Sequence, residues 1–110
     1  MERELTRLRD EAKAQAEQLE RDLTGLFEAA RASNADDEHD PEGSTIGYER
    51  AQLTAVLEAT RRRVADLDDA LARLATGDYG ICERCGRPIP AERLAARPAS
   101  RTCVGCAGSR

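Results

Sequence analysis

The four cysteines of this 110-residue chain fall in two Cys-x-x-Cys pairs, and this arrangement constrains the fold more than any other feature. Cys82 and Cys85 form the first pair, and Cys103 and Cys106 form the second, with seventeen residues between the pairs. A two-residue gap lets one tight turn present two sulfurs to the same metal, and a second pair completes a tetrahedron. We therefore predict one structural zinc ion bound by all four cysteines, with no open position for catalysis.

Two other uses of paired cysteines are two disulfide bonds or redox-active thiols. A thioredoxin-like redox site requires a strand, helix and strand around its cysteines, and the sequence lacks that pattern. No signal peptide indicates an oxidising compartment, so zinc is favoured over disulfides. Gly80 and Gly86 flank the first pair and Gly105 lies inside the second, where we expect glycine to supply the positive φ angles of tight turns.

Composition limits the size of any core. The chain has one Phe, two Tyr and no Trp, and 35% of its residues are charged. Helix pairing and metal binding must therefore supply most of its stability. We find no transmembrane segment in the sequence and expect a cytoplasmic protein without membrane contact.

The net charge of −4 is unevenly distributed along the chain. Residues 1–76 carry 11 basic and 18 acidic side chains, whereas residues 77–110 carry 6 and 3. Four thiolates on one Zn²⁺ add about −2 to the C-terminal part, which makes its surface only weakly basic. This balance argues against strong non-specific DNA binding, and we expect no sequence-specific DNA binding.

Two stripes of apolar residues at steps of three or four predict two long amphipathic helices. The first helix is predicted from Glu2 to about Ser33, and the second from about Ser44 to Thr76, ending before Gly77. The first stripe comprises Leu5, Leu8, Ala12, Ala16, Leu19, Leu23, Leu26 and Ala30. The second comprises Ile46, Leu53, Leu57, Thr60, Val64, Leu67, Leu71 and Leu74.

Residues 34–43, NADDEHDPEG, contain several helix breakers and predict a turn between the helices. The helices would then fold back as an antiparallel coiled-coil hairpin over residues 1–76, followed by a zinc finger over residues 77–110. This fold class is mainly α. Pairing within one chain is favoured over pairing in a dimer, so we expect a monomer.

The predicted turn is strongly acidic. Its five carboxylates belong to Asp36, Asp37, Glu38, Asp40 and Glu42. A solvated loop that caps the helices is the ordinary explanation. At the end of a two-helix hairpin, however, such acids can also reach a metal ion or a basic surface inside a narrow cavity.

The sequence GDYGICERCGRPIPAERLAARP from Gly77, followed by Cys103-x-x-Cys106, closely resembles the DksA/TraR family of bacterial four-cysteine zinc-finger proteins. Sixteen of the seventeen basic residues are arginine, which indicates a GC-rich genome. The resemblance implies a transcription regulator that binds RNA polymerase directly and inserts its coiled-coil tip into the secondary channel. It also implies that the zinc-bearing end lies near the rim of that channel.

Asp37 and Asp40 match two tip aspartates of the family, spaced Asp-x-x-Asp, and are our candidate partner-binding residues. Pro41 and Glu42 depart from the residues that follow in the family pattern. Some members act together with ppGpp, but we assign no ppGpp site here. The sequence stops four residues after Cys106, so we expect it to lack the C-terminal helix of longer members.

The sequence supports three classes of function to different degrees. A polymerase-binding regulator without catalysis is favoured, and the alternative is a zinc module that binds nucleic acid or another protein. Nucleic-acid binding has less support because the sequence shows no aromatic stacking platform and no dense basic patch. We expect no enzymatic activity, since the sequence contains no Ser/His/Asp or Cys/His constellation.

Overall fold

The structure, a computed structural model, describes residues 1–34 and 41–108. Its four helices are α1 (Glu2–Asn34), α2 (Pro41–Thr76), α3 (Ala91–Ala96) and α4 (Val104–Ala107). In the described ranges, extended pairing is limited to an isolated antiparallel bridge between Ile81 and Pro88. The predicted fold class, two long paired helices followed by clustered cysteines, is confirmed. No helix of the described chain has both the length and the apolar character needed to cross a bilayer.

The ends of α2 follow from proline and glycine chemistry. The helix begins at Pro41, three residues before the predicted Ser44, because proline is well suited to the first turn, where its missing N–H has no partner to lose. It ends at Thr76 as predicted, and Gly77 has a φ of 85°. The N–H of Asp78 donates to the carbonyl of Arg73 at 2.8 Å, which closes the helix in a Schellman motif.

Substitution of Gly77 by alanine is expected to lower the free energy of unfolding by about 1 kcal/mol, because a Cβ disfavours the left-handed backbone. The matched control is Gly25→Ala inside α1, where an added Cβ meets nothing within 4 Å. Alanine there should raise the free energy of unfolding by about 0.5–1 kcal/mol. Urea unfolding of both zinc-loaded variants, followed by far-UV circular dichroism, tests the pair, and shifts of the same sign would contradict it.

The described chain divides into two compact units. One unit contains Met1–Asp10 and Arg63–Arg110, and the other contains Glu11–Arg62. The first unit therefore combines the C-terminal part of α2 with the cysteine-bearing segment. A domain boundary at Gly77 stays a prediction.

Residues 11–62 pair the two long helices through the predicted apolar stripes. Ala16, Leu23 and Leu57 form a buried cluster, with Leu19 and Leu53 packed against it. All five belong to the predicted stripes. Contacts made by charged side chains also join α1 to α2 in this range.

The order of these contacts shows the helix direction. Arg61 pairs with Glu20 at 2.8 Å, and the Arg50 guanidinium lies 5.1 Å from the centre of the Phe27 ring. Later residues of α1 thus meet earlier residues of α2, as antiparallel helices require.

Thr60 is the one polar residue of the predicted stripe on α2 and is 6% exposed. Its hydroxyl donates to the carbonyl of Val56 in the preceding turn at 2.8 Å. This bond satisfies the hydroxyl inside the helix itself, so a threonine is tolerated in the apolar seam.

The unit of residues 1–10 and 63–110 has its own core. Its buried apolar residues come from α1, α2 and the cysteine-bearing segment, and they are Leu5, Leu67, Ala70, Cys82 and Ile89. Burial of Leu5 and Leu67 was predicted from the stripes. Ala70, which is fully buried, was not.

Candidate metal centre

The first cysteine pair lies in a tight hairpin. Gly80 and Gly86 have φ angles of 84° and 73°, as the sequence predicts. The N–H of Gly86 donates to the carbonyl of Cys82 at 2.9 Å, and the N–H of Cys82 donates to the carbonyl of Arg87 at 2.8 Å. Ile89 closes the hairpin by donating to Gly80 at 2.7 Å. Because both glycines reach the left-handed region, the chain reverses within a few residues and presents both sulfurs of the pair.

The second pair is built on a helical turn. Cys103 immediately precedes α4, and its carbonyl accepts hydrogen bonds from the N–H groups of Cys106 at 3.1 Å and Ala107 at 2.9 Å. The expectation that Gly105 takes a positive φ is wrong, because Gly105 lies within α4. A helical turn already brings residues three apart to one face, so this pair needs no left-handed residue.

The four cysteine sulfurs form one compact cluster. The Sγ atoms of Cys82, Cys85, Cys103 and Cys106 all lie within 4.8 Å of one another. The Sγ atoms of Cys85 and Cys103 are 3.9 Å apart, and none of the four cysteines forms a disulfide bond. A tetrahedron with Zn–S bonds of about 2.3 Å has S···S edges of roughly 3.8 Å. The spacing and the all-thiol donor set therefore fit zinc.

Electrostatics within the cluster also favour a bound cation. Backbone N–H groups of Cys85 and Cys103 lower the pKa of the Cys82 thiol to about 6. Hydrogen bonds among the thiols, first with Cys103 and then with Cys82, raise the pKa of Cys106 to about 12. The thiols of Cys82 and Cys106 thus ionise over different pH ranges. A bound divalent cation removes this difference in ionisation because it stabilises all four thiolates.

Residues 98–102, which we call the connecting segment, lead directly into the second cysteine pair. The Tyr79 hydroxyl donates to the carbonyl of Pro98 at 2.8 Å, and Arg93 Nε donates to the carbonyl of Thr102 at 2.8 Å. Burial raises the pKa of Tyr79 against the opposing effect of the Arg73 charge, so its hydroxyl keeps the proton that it donates.

Arg73, in the last turn of α2, holds the middle of the connecting segment. Its guanidinium donates to the carbonyls of Ala99 at 3.3 Å and Ser100 at 3.4 Å. Asp69 pairs with Arg73 at 2.9 Å and with Arg101 at 2.8 Å. No motif or periodicity in the sequence predicted a role for Arg73. A basic residue in the last turn of a helix was the available signal, but it is ordinarily explained by the helix dipole.

The structure brings together all four predicted zinc ligands. The predicted tip residues Asp37 and Asp40 lie outside the described residues.

Comparison with known proteins agrees with this geometry. The family model of the prokaryotic dksA/traR C4-type zinc finger matches residues 77–110. General stress protein 16O of Bacillus subtilis is 35% identical over 77 residues, covering 70% of this chain and 47% of that protein. The RNA polymerase-binding transcription factor DksA of Caulobacter vibrioides is 38% identical over 56 residues, covering 51% and 39%. The chain thus matches less than half the length of these two relatives.

A solved structure extends the similarity beyond the finger. Transcription factor DksA2 from Pseudomonas aeruginosa superposes with a TM-score of 0.58 and 28% sequence identity. The match covers 94% of this chain and 79% of that one. Residues 77–110, with their clustered thiols, thus match the four-cysteine zinc finger of the DksA/TraR family, and the chain with its two long helices is similar in fold to DksA2.

Proposed function

We propose that this protein is a zinc-containing transcription regulator that binds RNA polymerase directly and performs no catalysis of its own. The observation that carries the proposal is the cluster of four cysteine sulfurs inside a segment that matches the DksA/TraR finger. The similarity to DksA2, which includes the long helices, supports a shared mode of action. The name of the Caulobacter relative supplies RNA polymerase as the partner.

The metal part of the proposal is one structural zinc ion. Cys82, Cys85, Cys103 and Cys106 would fill all four positions of its tetrahedron, which leaves none for water or substrate. The zinc ion would then serve to stabilise the fold of the C-terminal segment.

The partner part of the proposal concerns the predicted tip at residues 34–43. We propose that this tip enters the secondary channel of RNA polymerase and that Asp37 and Asp40 act there. Support comes from the match of residues 77–110 to the DksA/TraR finger and from the Asp-x-x-Asp spacing in the sequence. The protein would work as a cytoplasmic monomer, since its target is the polymerase and its helices pair within one chain.

The test is a pull-down and a multi-round transcription assay with zinc-loaded protein and the RNA polymerase of its host. For Asp37→Asn/Asp40→Asn we expect polymerase binding to persist. The transcript yield should return to the yield measured without the protein. The double change Glu49→Gln/Glu58→Gln is the matched control, because it neutralises two exposed carboxylates of α2 outside the tip. This control should regulate like the wild type.

Failure of every form to bind RNA polymerase would contradict the partner assignment. Salt-dependent binding to bare DNA that requires Arg87 or Arg97 would then favour the nucleic-acid alternative. Full regulation by the Asp37/Asp40 variant would instead remove the tip aspartates from the mechanism.

A further inference from the structure

The connecting segment has an unusual hydrogen-bonding pattern. Each of its five consecutive carbonyls, at residues 98–102, accepts a hydrogen bond from outside the segment. Four of these bonds come from the Tyr79, Arg73 and Arg93 side chains, and the fifth comes from the Glu83 N–H to Arg101 at 2.9 Å. Irregular segments normally leave many carbonyls to water. This one is fixed along its whole length, and it ends at the second cysteine pair.

Arg73 contributes to the positions of both cysteine pairs. Its backbone carbonyl accepts hydrogen bonds from the N–H groups of Asp78 at 2.8 Å and Tyr79 at 3.1 Å, where the chain turns toward the first pair. Its side chain donates to two carbonyls of the connecting segment, just before the second pair. A single residue thus contacts the chain leading into each half of the metal centre.

The Arg73 side chain is itself held in place. It is 16% exposed, and its Nε pairs with Asp69 one turn earlier on α2. The same Asp69 oxygen binds Arg101, which belongs to the connecting segment. A planar guanidinium fixed by a carboxylate on one edge can present its other donors in a constant direction.

We propose that Arg73 is a positioning residue for the metal centre. It keeps the second cysteine pair at the distance from the first that zinc requires, and it couples zinc binding to the last turns of α2. The inference rests on the zinc part of the proposed function and is independent of polymerase binding. Because coupling free energies are reciprocal, a residue that strengthens zinc binding through α2 also lets zinc stabilise the end of α2.

Arg73→Met tests the proposal, because methionine keeps an unbranched stem and removes every donor of the guanidinium. Zinc affinity is measured by competition with a chromophoric chelator, and Co²⁺ titration reports the tetrahedral thiolate spectrum. We expect zinc binding to weaken about 10- to 100-fold, the usual effect of losing a group that orients metal ligands. Arg63→Met, an exposed arginine on the same helix, is the control and should remain within about twofold of the wild type.

Hydrogen exchange supplies a readout that a purely structural role would not change. In the wild type, zinc should slow amide exchange in the last turns of α2, at residues 70–76. In Arg73→Met the zinc-free protein should exchange there as the zinc-free wild type does, but saturating zinc should give much less protection. Asp69→Asn, which leaves Arg73 in place without its charged partner, should weaken zinc binding in the same direction and by less.

Zinc affinity of Arg73→Met within about twofold of the wild type, or equal zinc-dependent protection of α2, would overturn the proposal. If Arg73→Met does not fold, unchanged zinc affinity in Asp69→Asn would overturn it as well. A wild-type protein that binds no zinc would contradict the proposed metal centre itself, which is a separate result.

Discussion

Replacing Cys82 with serine is expected to abolish zinc binding and to unfold the segment around the cysteines. Cys82 is 1% exposed, and Ile89 is the other buried apolar residue of its hairpin, so packing alone contributes little there. Zinc binding to structural four-ligand sites is worth about 10–16 kcal/mol near neutral pH. This is comparable with the entire stability of a small domain, about 5–15 kcal/mol.

Metal analysis of the purified protein and Co²⁺ absorption spectra measure this loss directly. Val104→Ser is the matched control, since Val104 is 68% exposed and lies between Cys103 and Cys106. It should retain one zinc ion and the tetrahedral thiolate spectrum. Wild-type zinc binding by Cys82→Ser would contradict the four-cysteine assignment.

Zinc removal by a chelator extends the same experiment to the rest of the chain. Because unit Glu11–Arg62 has its own apolar cluster, much of the helical circular dichroism should survive. Complete loss of helix would show that residues 1–76 do not fold without the finger.

Leu57→Ala is expected to lower the free energy of unfolding by about 2–5 kcal/mol, the second largest effect. Leu57 is 5% exposed at the centre of the cluster that it forms with Ala16 and Leu23. Truncation removes apolar contacts and leaves a cavity that two long helices cannot easily close. The slightly better helix propensity of alanine does not offset this loss.

Val56→Ala is the control for Leu57→Ala, because Val56 is the adjacent residue and is 45% exposed. Both changes gain helix propensity, so the difference between them isolates burial. Urea unfolding of the zinc-loaded proteins should show a change below about 1 kcal/mol for Val56→Ala. Equal effects of the two substitutions would contradict the assigned seam.

The features that the sequence predicted correctly are those that depend on neighbours close in the chain. A helix repeats every 3.6 residues, so steps of three or four identify its buried face without knowledge of the partner. Gly77 marked the end of α2 because few other residues accept its φ of 85°. The spacing of the cysteines predicted that their four sulfurs cluster, since two short gaps and one long one suit a tetrahedral metal.

Two features were not predicted correctly from the sequence, and each has a physical cause. Ala70 was missed because alanine is equally common on exposed helix faces, as at Ala65 and Ala72, and so carries a weak signal. Gly105 was misassigned because glycine permits a left-handed turn without requiring one. The second cysteine pair uses a helical turn instead.

The sequence by itself determined the two helices, their apolar stripes and the two cysteine pairs, because each depends on local conformation or on short spacings. Only the tertiary structure showed that Arg73, Tyr79 and Arg93 hold the connecting segment. Arg73 lies 26 residues from Ala99, and no periodicity links the two. Which donor satisfies which backbone carbonyl depends on where the whole chain places them, so this part of the metal centre had no signature in the sequence.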